Sequence, residues 1–255
     1  MSNLNIIPRK VTTVLLTITV ILAGMSLMGL LAVEDNRFLV IRDLFDANFE
    51  RSVGGWFSTV LLLIAAVLIG LIAFDHTQRD LPHKRAWGYL TIIFIIMSMD
   101  EYIGVHERFL LFAEPGSSGN SFIATYILAA IFGSALLFGF WRWLRDLPSE
   151  FRTRFLIANA IFLFGAVGFD TFGEYWVKVV MTGDITVTQI VLTTIEEFIE
   201  MTGVSLAIGA LLTYLRDYST LSITFSEPET QPHPASEDAT ASNTARPASS
   251  STVAN

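Results

Sequence analysis

Residues 90–112 read LTIIFIIMSMDEYIGVHERFLLF. Apolar residues dominate both flanks, and between them stand Asp100, Glu101, His106 and Glu107. A run of this length and hydrophobicity is what a helix needs to cross about 30 Å of hydrocarbon at about 1.5 Å per residue. An acidic side chain at the centre of such a helix costs roughly 2.5–3.5 kcal/mol even on a lenient insertion scale. Packing alone does not explain several of them together, so this stretch marks both the fold class and a candidate site.

Outward from it, the chain repeats the pattern. Six spans are expected, at about 11–33, 56–74, 87–112, 121–143, 155–181 and 186–214. Of the 255 residues, 52% are hydrophobic and 16% are charged, and the mean hydropathy is +0.55. A soluble domain of this size carries about 25% charge. The expected fold is therefore an all-α polytopic membrane helix bundle. The apolar run from Val11 to Val33 follows Arg9 and Lys10. It is too long for a signal-peptide core and no small-x-small cleavage site follows, so it reads as a retained first span.

Lys and Arg in the short loops orient the bundle. Arg9, Lys10, Arg79, Lys84, Arg85, Arg142, Arg145, Arg152, Arg154 and Arg216 fall on one side. Only Arg37, Arg42 and Arg51 fall on the other. Both termini are then expected in the cytoplasm. Loop residues 34–55 include Phe38, Leu39, Val40 and Ile41, too apolar for a solvated linker, and are expected to lie in the interface. Trp56, Trp87, Trp141 and Trp143 are expected to mark interfaces. Residues 220–255, rich in Ser, Thr, Ala, Pro and Glu, form an expected disordered cytoplasmic tail after a transmembrane domain at 1–219.

The absence of cysteine excludes disulfides, thiolate metal ligands and thiol catalysis. The formal charge of −8 is not a surface property, since eight carboxylates fall within the expected spans. It implies no nucleic-acid partner. The partners it leaves are the bilayer itself and a lipid-soluble substrate.

Three spans carry the intramembrane charges. The third has Asp100, Glu101, His106 and Glu107; the fifth has Asp170 and Glu174; the sixth has Glu196, Glu197 and Glu200. Asp100 and Glu107, seven apart, differ by only about 20° around a continuous helix, with Gly104 between them on the same face. Asp170 and Glu174, like Glu196 and Glu200, are one turn apart on one face. With the orientation above, the stripes match in depth. A deeper layer holds Asp100, Asp170, Glu200 and Glu101, and an outer layer holds Glu107, Glu174, Glu196 or Glu197, with His106 beside it.

Eight carboxylates face only His106, Arg108 and Lys178 as cations, and the last two lie near span ends where they can snorkel. The excess charge must be protonated, solvated or neutralised by metal. Hard oxygen ligands with one imidazole suit Mn, Fe, Mg, Ca or, less well, Zn, and Fe, Mn or Zn in a mono- or dinuclear site is the expectation. The expected ligands of this divalent ion are Asp100, Glu101, Glu107, Asp170, Glu174, Glu196 and Glu200. His106 and Glu197 are the expected proton-transfer groups. No other organic cofactor is implied. The arrangement resembles, in outline, the di-iron carboxylate bundles, but their Glu-x-x-His motif is absent. His76, His83 and His233 read as loop or tail residues, so no histidine box is present.

Trp56-Phe57-Ser58 at a span start and Asp100-Glu101-x4-His106-Glu107 in the next resemble a group of uncharacterised bacterial multipass membrane proteins. The resemblance covers about the first half of the chain. It implies the bacterial inner membrane and no particular activity. The charges then favour a metal-dependent membrane enzyme, a hydrolase or an oxidoreductase. A cation or proton-coupled transporter is the first alternative, and a non-catalytic subunit or assembly factor of a membrane complex the second. Against transport stands the lack of paired Gly- or Pro-broken helices in the sequence.

Overall fold

A computed structural model of the chain describes residues 7–28, 44–45, 52–104, 120–169, 172–173, 176 and 185–221. Helix α1 runs Pro8–Met28, α2 Val53–Gln78, α3 Lys84–Ile103, α4 Asn120–Asp146, α5 Ser149–Leu163 and α6 Ile185–Tyr218. A π-helical turn, Phe164–Phe169, continues α5. Among the described residues there is no strand. The helices α1, α2 and α3, the α5 segment with its π turn, and α6 are each long and apolar enough to cross a membrane. Apolar side chains such as Val14, Val20, Leu63, Val67, Ile92, Ile96 and Phe138 are exposed around them. Hydrocarbon covers such a surface at no cost, whereas water would not.

Local chemistry sets the helix ends. Pro8 occupies the first turn of α1, where its missing N–H costs nothing. The Ser52 hydroxyl caps α2 by accepting from the Gly55 N–H at 3.1 Å, so α2 starts at Val53 and takes Gly54 and Gly55 into its first turn. Between α2 and α3 the chain turns through Asp80 and His83, both with positive φ. Lys84 donates to Asp80 at 2.6 Å, and this bond and its charge hold the Asp80 carboxyl below the ordinary carboxylate range.

Two expected spans end differently. The third was expected to run to 112, but α3 stops at Ile103. Gly104 takes the left-handed conformation (φ 63°, ψ 43°) and its N–H donates to the Asp100 carbonyl at 2.7 Å. Glycine alone adopts this geometry without Cβ strain, which makes it a helix terminator here rather than an open patch on a helix face. The fifth was expected as one helix over 155–181; α geometry instead begins at Ser149 and gives way to the π turn after Leu163. The expected interfacial loop falls almost wholly outside the described residues, as does the expected disorder of the tail beyond Leu221.

The long helix α6 is the post on which the bundle is built. It packs against α1, α2, α5 and the π turn, while α3 lies along α2. Helix α1 runs antiparallel to α6: Thr12 meets Gly209, and Ser26 Oγ shares a 2.7 Å hydrogen bond with Thr194 Oγ1. Helix α5 is also antiparallel, and the backbone of Phe162 approaches Gly203 so closely that a Cβ there would stand 2.6 Å from the Phe162 nitrogen. Helices α2 and α6 run parallel.

The arginine-rich end of the bundle is closed by aromatic packing. Trp87 is fully buried; its ring lies 5.0 Å from Trp143 edge-on, 5.3 Å from Tyr214 and 5.8 Å from His76. Trp87 and Trp143 are thus core residues and not the interface anchors expected of them, whereas Trp56 and Trp141 are exposed. Trp141 and Trp143 both flank Arg142, yet one is exposed and the other buried, and the packing of the helix ends separates them.

Candidate functional site

The described acids sit on α3 and α6. Asp100 and Glu101 occupy the last turn of α3, both half-buried. Glu196 and Glu197 are half-buried on α6, and Glu200 is buried, 8% exposed. His106, Glu107, Asp170 and Glu174 lie outside the described residues.

A small cavity relates the two helices. It is lined by Phe94 and Met97 of α3, Leu62 of α2, Asn159 and Phe162 of α5, and Gly203 and Val204 of α6. Glu101 lies seven residues beyond Phe94, and Glu196 seven residues before Gly203. The two helices point in opposite directions, so both intervals run the same way, about 10 Å at 1.5 Å per residue. Glu101 therefore lies on the same side of the cavity as Glu196, Glu197 and Glu200. The same spacing places Glu101 on the stripe of α3 that carries Phe94 and Met97 towards the bundle, with Asp100 about 100° away. The expected working face of the third span, Asp100 with Glu107, thus rested on a helical continuity that ends at Gly104. Glu101, and not Asp100, is aligned with the interior.

On α6 the acids divide. Gly165, in the π turn, meets Glu200: a Cβ there would stand 2.7 Å from Glu200 Cγ, 3.1 Å from its nitrogen and 3.3 Å from the Glu196 carbonyl. The bare glycine lets α5 and α6 close at the point where Glu200 is buried. Glu197 is turned about 60° from Glu200 around the helix. Ser98 of α3 donates to the Thr59 carbonyl at 2.9 Å, tying α2 into this level.

Asp100 and Glu101 sit at the negative end of the α3 dipole, where a carboxylate costs about 0.3–1 kcal/mol unless a positive charge compensates. Among the described residues, no three histidine or acidic side chains lie together as a metal site. A complete ligand set would have to draw on His106, Glu107, Asp170 or Glu174.

A second polar cluster was missed by the sequence reading. His76 lies in the last turn of α2, buried, and not in a loop. Its Nδ1 is 3.0 Å from the Pro82 carbonyl, which can only accept, so Nδ1 carries the proton. Its Nε2 is 3.1 Å from the Tyr214 hydroxyl. Beside it the buried Asp75 accepts from Arg79 at 3.1 Å and from the Thr220 hydroxyl at 3.2 Å, and Arg79 also donates to the Tyr218 carbonyl. The pair Asp75-His76 at the end of a long apolar run was the available signal. This cluster fastens the ends of α2 and α6 to the turn before α3.

The chain is thus an all-helical protein with several helices long and apolar enough to cross a membrane, and with acids on α3 and α6. The chain belongs to the DUF8692 family, a domain of unknown function, whose model matches residues 13–215. No curated protein and no solved structure matches it.

Proposed function

We propose that this is a multi-pass protein of the bacterial inner membrane that holds a divalent metal ion between α3, the π turn and α6. In this reading it acts as a metal-dependent enzyme on a lipid-soluble substrate. What supports the reading is that Glu101 of α3 and Glu196, Glu197 and Glu200 of α6 lie on the same side of the small cavity, with Glu200 buried where α5 is reduced to glycine. Carboxylates facing each other at membrane depth need a compensating charge. The negative end of α3 adds to that need. Glu101, Glu196, Glu200 and Asp100 would be oxygen ligands, completed by Glu107, Asp170 and Glu174. The ion, of the Fe, Mn or Zn type, would activate water or polarise the substrate. Glu197 and His106 would move the proton.

Elemental analysis of the purified protein beside a Glu200→Gln, Glu101→Gln variant tests this. Stoichiometric metal in the wild type, lost in the variant at unchanged folding, is the expected result. A metal-free wild type from metal-replete cells would overturn it.

A second reading, a cation or proton-coupled transporter, gains support from two observations. The break in α3 at Gly104 and the π turn in α5 are discontinuities beside the acids, a pattern used in transport sites. Cation flux into liposomes that depends on Glu200, from a protein holding no tightly bound metal, would favour it over the enzyme.

A further inference from the structure

Helix α2 carries no charge in its interior, yet it brings a polar group to the acidic level. Ser58 is fully buried, and among the described residues its hydroxyl has no hydrogen-bond partner. Leaving a buried hydroxyl unmatched is unfavourable, so an apolar residue here would be the stable choice for packing alone.

The register shows what Ser58 faces. The His76–Tyr214 contact ties α2 to α6 at 3.1 Å. Ser58 lies 18 residues before His76, and Glu196 lies 18 before Tyr214. Eighteen residues are five full turns, so each residue returns to the face of its counterpart. Leu62, one turn further along, meets Val204 at the small cavity, which sets Ser58 level with Glu200. The two estimates bracket the turn Glu196–Glu200. Within that turn, Glu200 and Glu196 meet α5 at Gly165. Glu197 lies within about 20° of the Val204 direction, the side shared with Leu62 of α2. Ser58 therefore shares the level of the turn Glu196–Glu200, on the face of α2 that carries Leu62 and His76.

We propose that the acidic site has a fourth wall: Ser58 borders it from α2 at the level of Glu196–Glu200, and its hydroxyl is a neutral oxygen ligand for the same ion. The ligand role rests on the metal reading above; the placement does not.

The chain contains no cysteine, so Ser58→Cys introduces a single thiol. In membranes it is reacted with two methanethiosulfonate reagents of equal size, one carrying an ammonium and one a sulfonate. Beside carboxylates the cationic reagent is expected to react about tenfold faster. That preference should fall at least threefold when Glu197→Gln is added. Ala66→Cys, equally buried two turns along α2, is the control and should show no preference. A Ser58→Cys thiol that stays unreactive, or that shows only the Ala66→Cys ratio, overturns the placement. Ser98→Cys, on the facing helix at the same level, gives an independent check on the charge preference. Addition of Mn2+ should slow the Ser58→Cys reaction. Charge preference without slowing, in a protein that binds metal, overturns the ligand role. A wild type without metal overturns the metal reading and the ligand role together, and the charge preference still decides the placement.

Discussion

A Cβ on Gly165 would stand 2.7 Å from Cγ of Glu200. The contact joins the π turn to the one fully buried acid described on α6, and the glycine backbone leaves no slack there. Gly165→Ala forces either the glutamate or the π turn to move, against backbone atoms at 3.1 and 3.3 Å. The expected cost is about 1–3 kcal/mol, as for other overpacked cores. Gly133 of α4 has open space around its Cα, so Gly133→Ala is expected to be neutral or stabilising by up to about 1 kcal/mol. Thermal unfolding in detergent should separate the two, and equal effects would show that the contact carries no strain.

Glu101 and Asp100 are neighbours with different surroundings. Glu101 continues the inward stripe of Phe94 and Met97, and Asp100 stands about 100° from it. Glu101→Gln is expected to lower metal content several-fold more than Asp100→Asn, measured on purified protein. The reverse order would place the interior face of α3 on the other side.

The His76–Tyr214 bond joins α2 to α6 in a buried aromatic setting. Tyr214→Phe leaves one imidazole nitrogen without its partner, for an expected loss of about 1–3 kcal/mol. His76→Ala also loses the Pro82 bond and ring packing, and is expected to cost more. Both should lower the unfolding temperature without changing metal content, because the cluster lies about 18 residues of helix from the acids. A selective loss of metal in either variant would show that the two ends are coupled.

Asp75 holds three donors, from the Arg79 side chain, the Thr220 hydroxyl and the Thr220 N–H. Asp75→Ala removes them together, and the loss of charged hydrogen bonds is expected to cost about 1.5–3 kcal/mol. Trypsin cleavage after Arg216 should then accelerate. An unchanged cleavage rate would mean that the end of α6 is held by its aromatic contacts alone.

Much of the architecture is written in the composition. Long apolar runs separated by charged loops can only become helices in a bilayer, because hydrocarbon leaves no other way to satisfy the backbone. The carboxylates at membrane depth stand out for the same reason: their insertion cost makes them conspicuous in any apolar run. Hydropathy could not show where α3 ends. Valine, leucine and phenylalanine continue past Gly104, and the break lies in the backbone conformation of one glycine. Nor could it show that His76 is buried, since an imidazole beside an aspartate at a span end reads as a surface turn.

The sequence by itself determined the class of protein, its helix-forming segments and the set of acids from which a site can be drawn. The tertiary structure decided which of them turn towards the bundle interior. Gly104 ends the helix that would have paired Asp100 with Glu107, and the cavity register turns Glu101 inward instead. Gly165 seats the π turn on Glu200, and the His76–Tyr214 contact brings Ser58 level with the turn Glu196–Glu200. These relations depend on the rotation and sliding of one helix against another, which close packing fixes to within a side chain and which no single helix encodes.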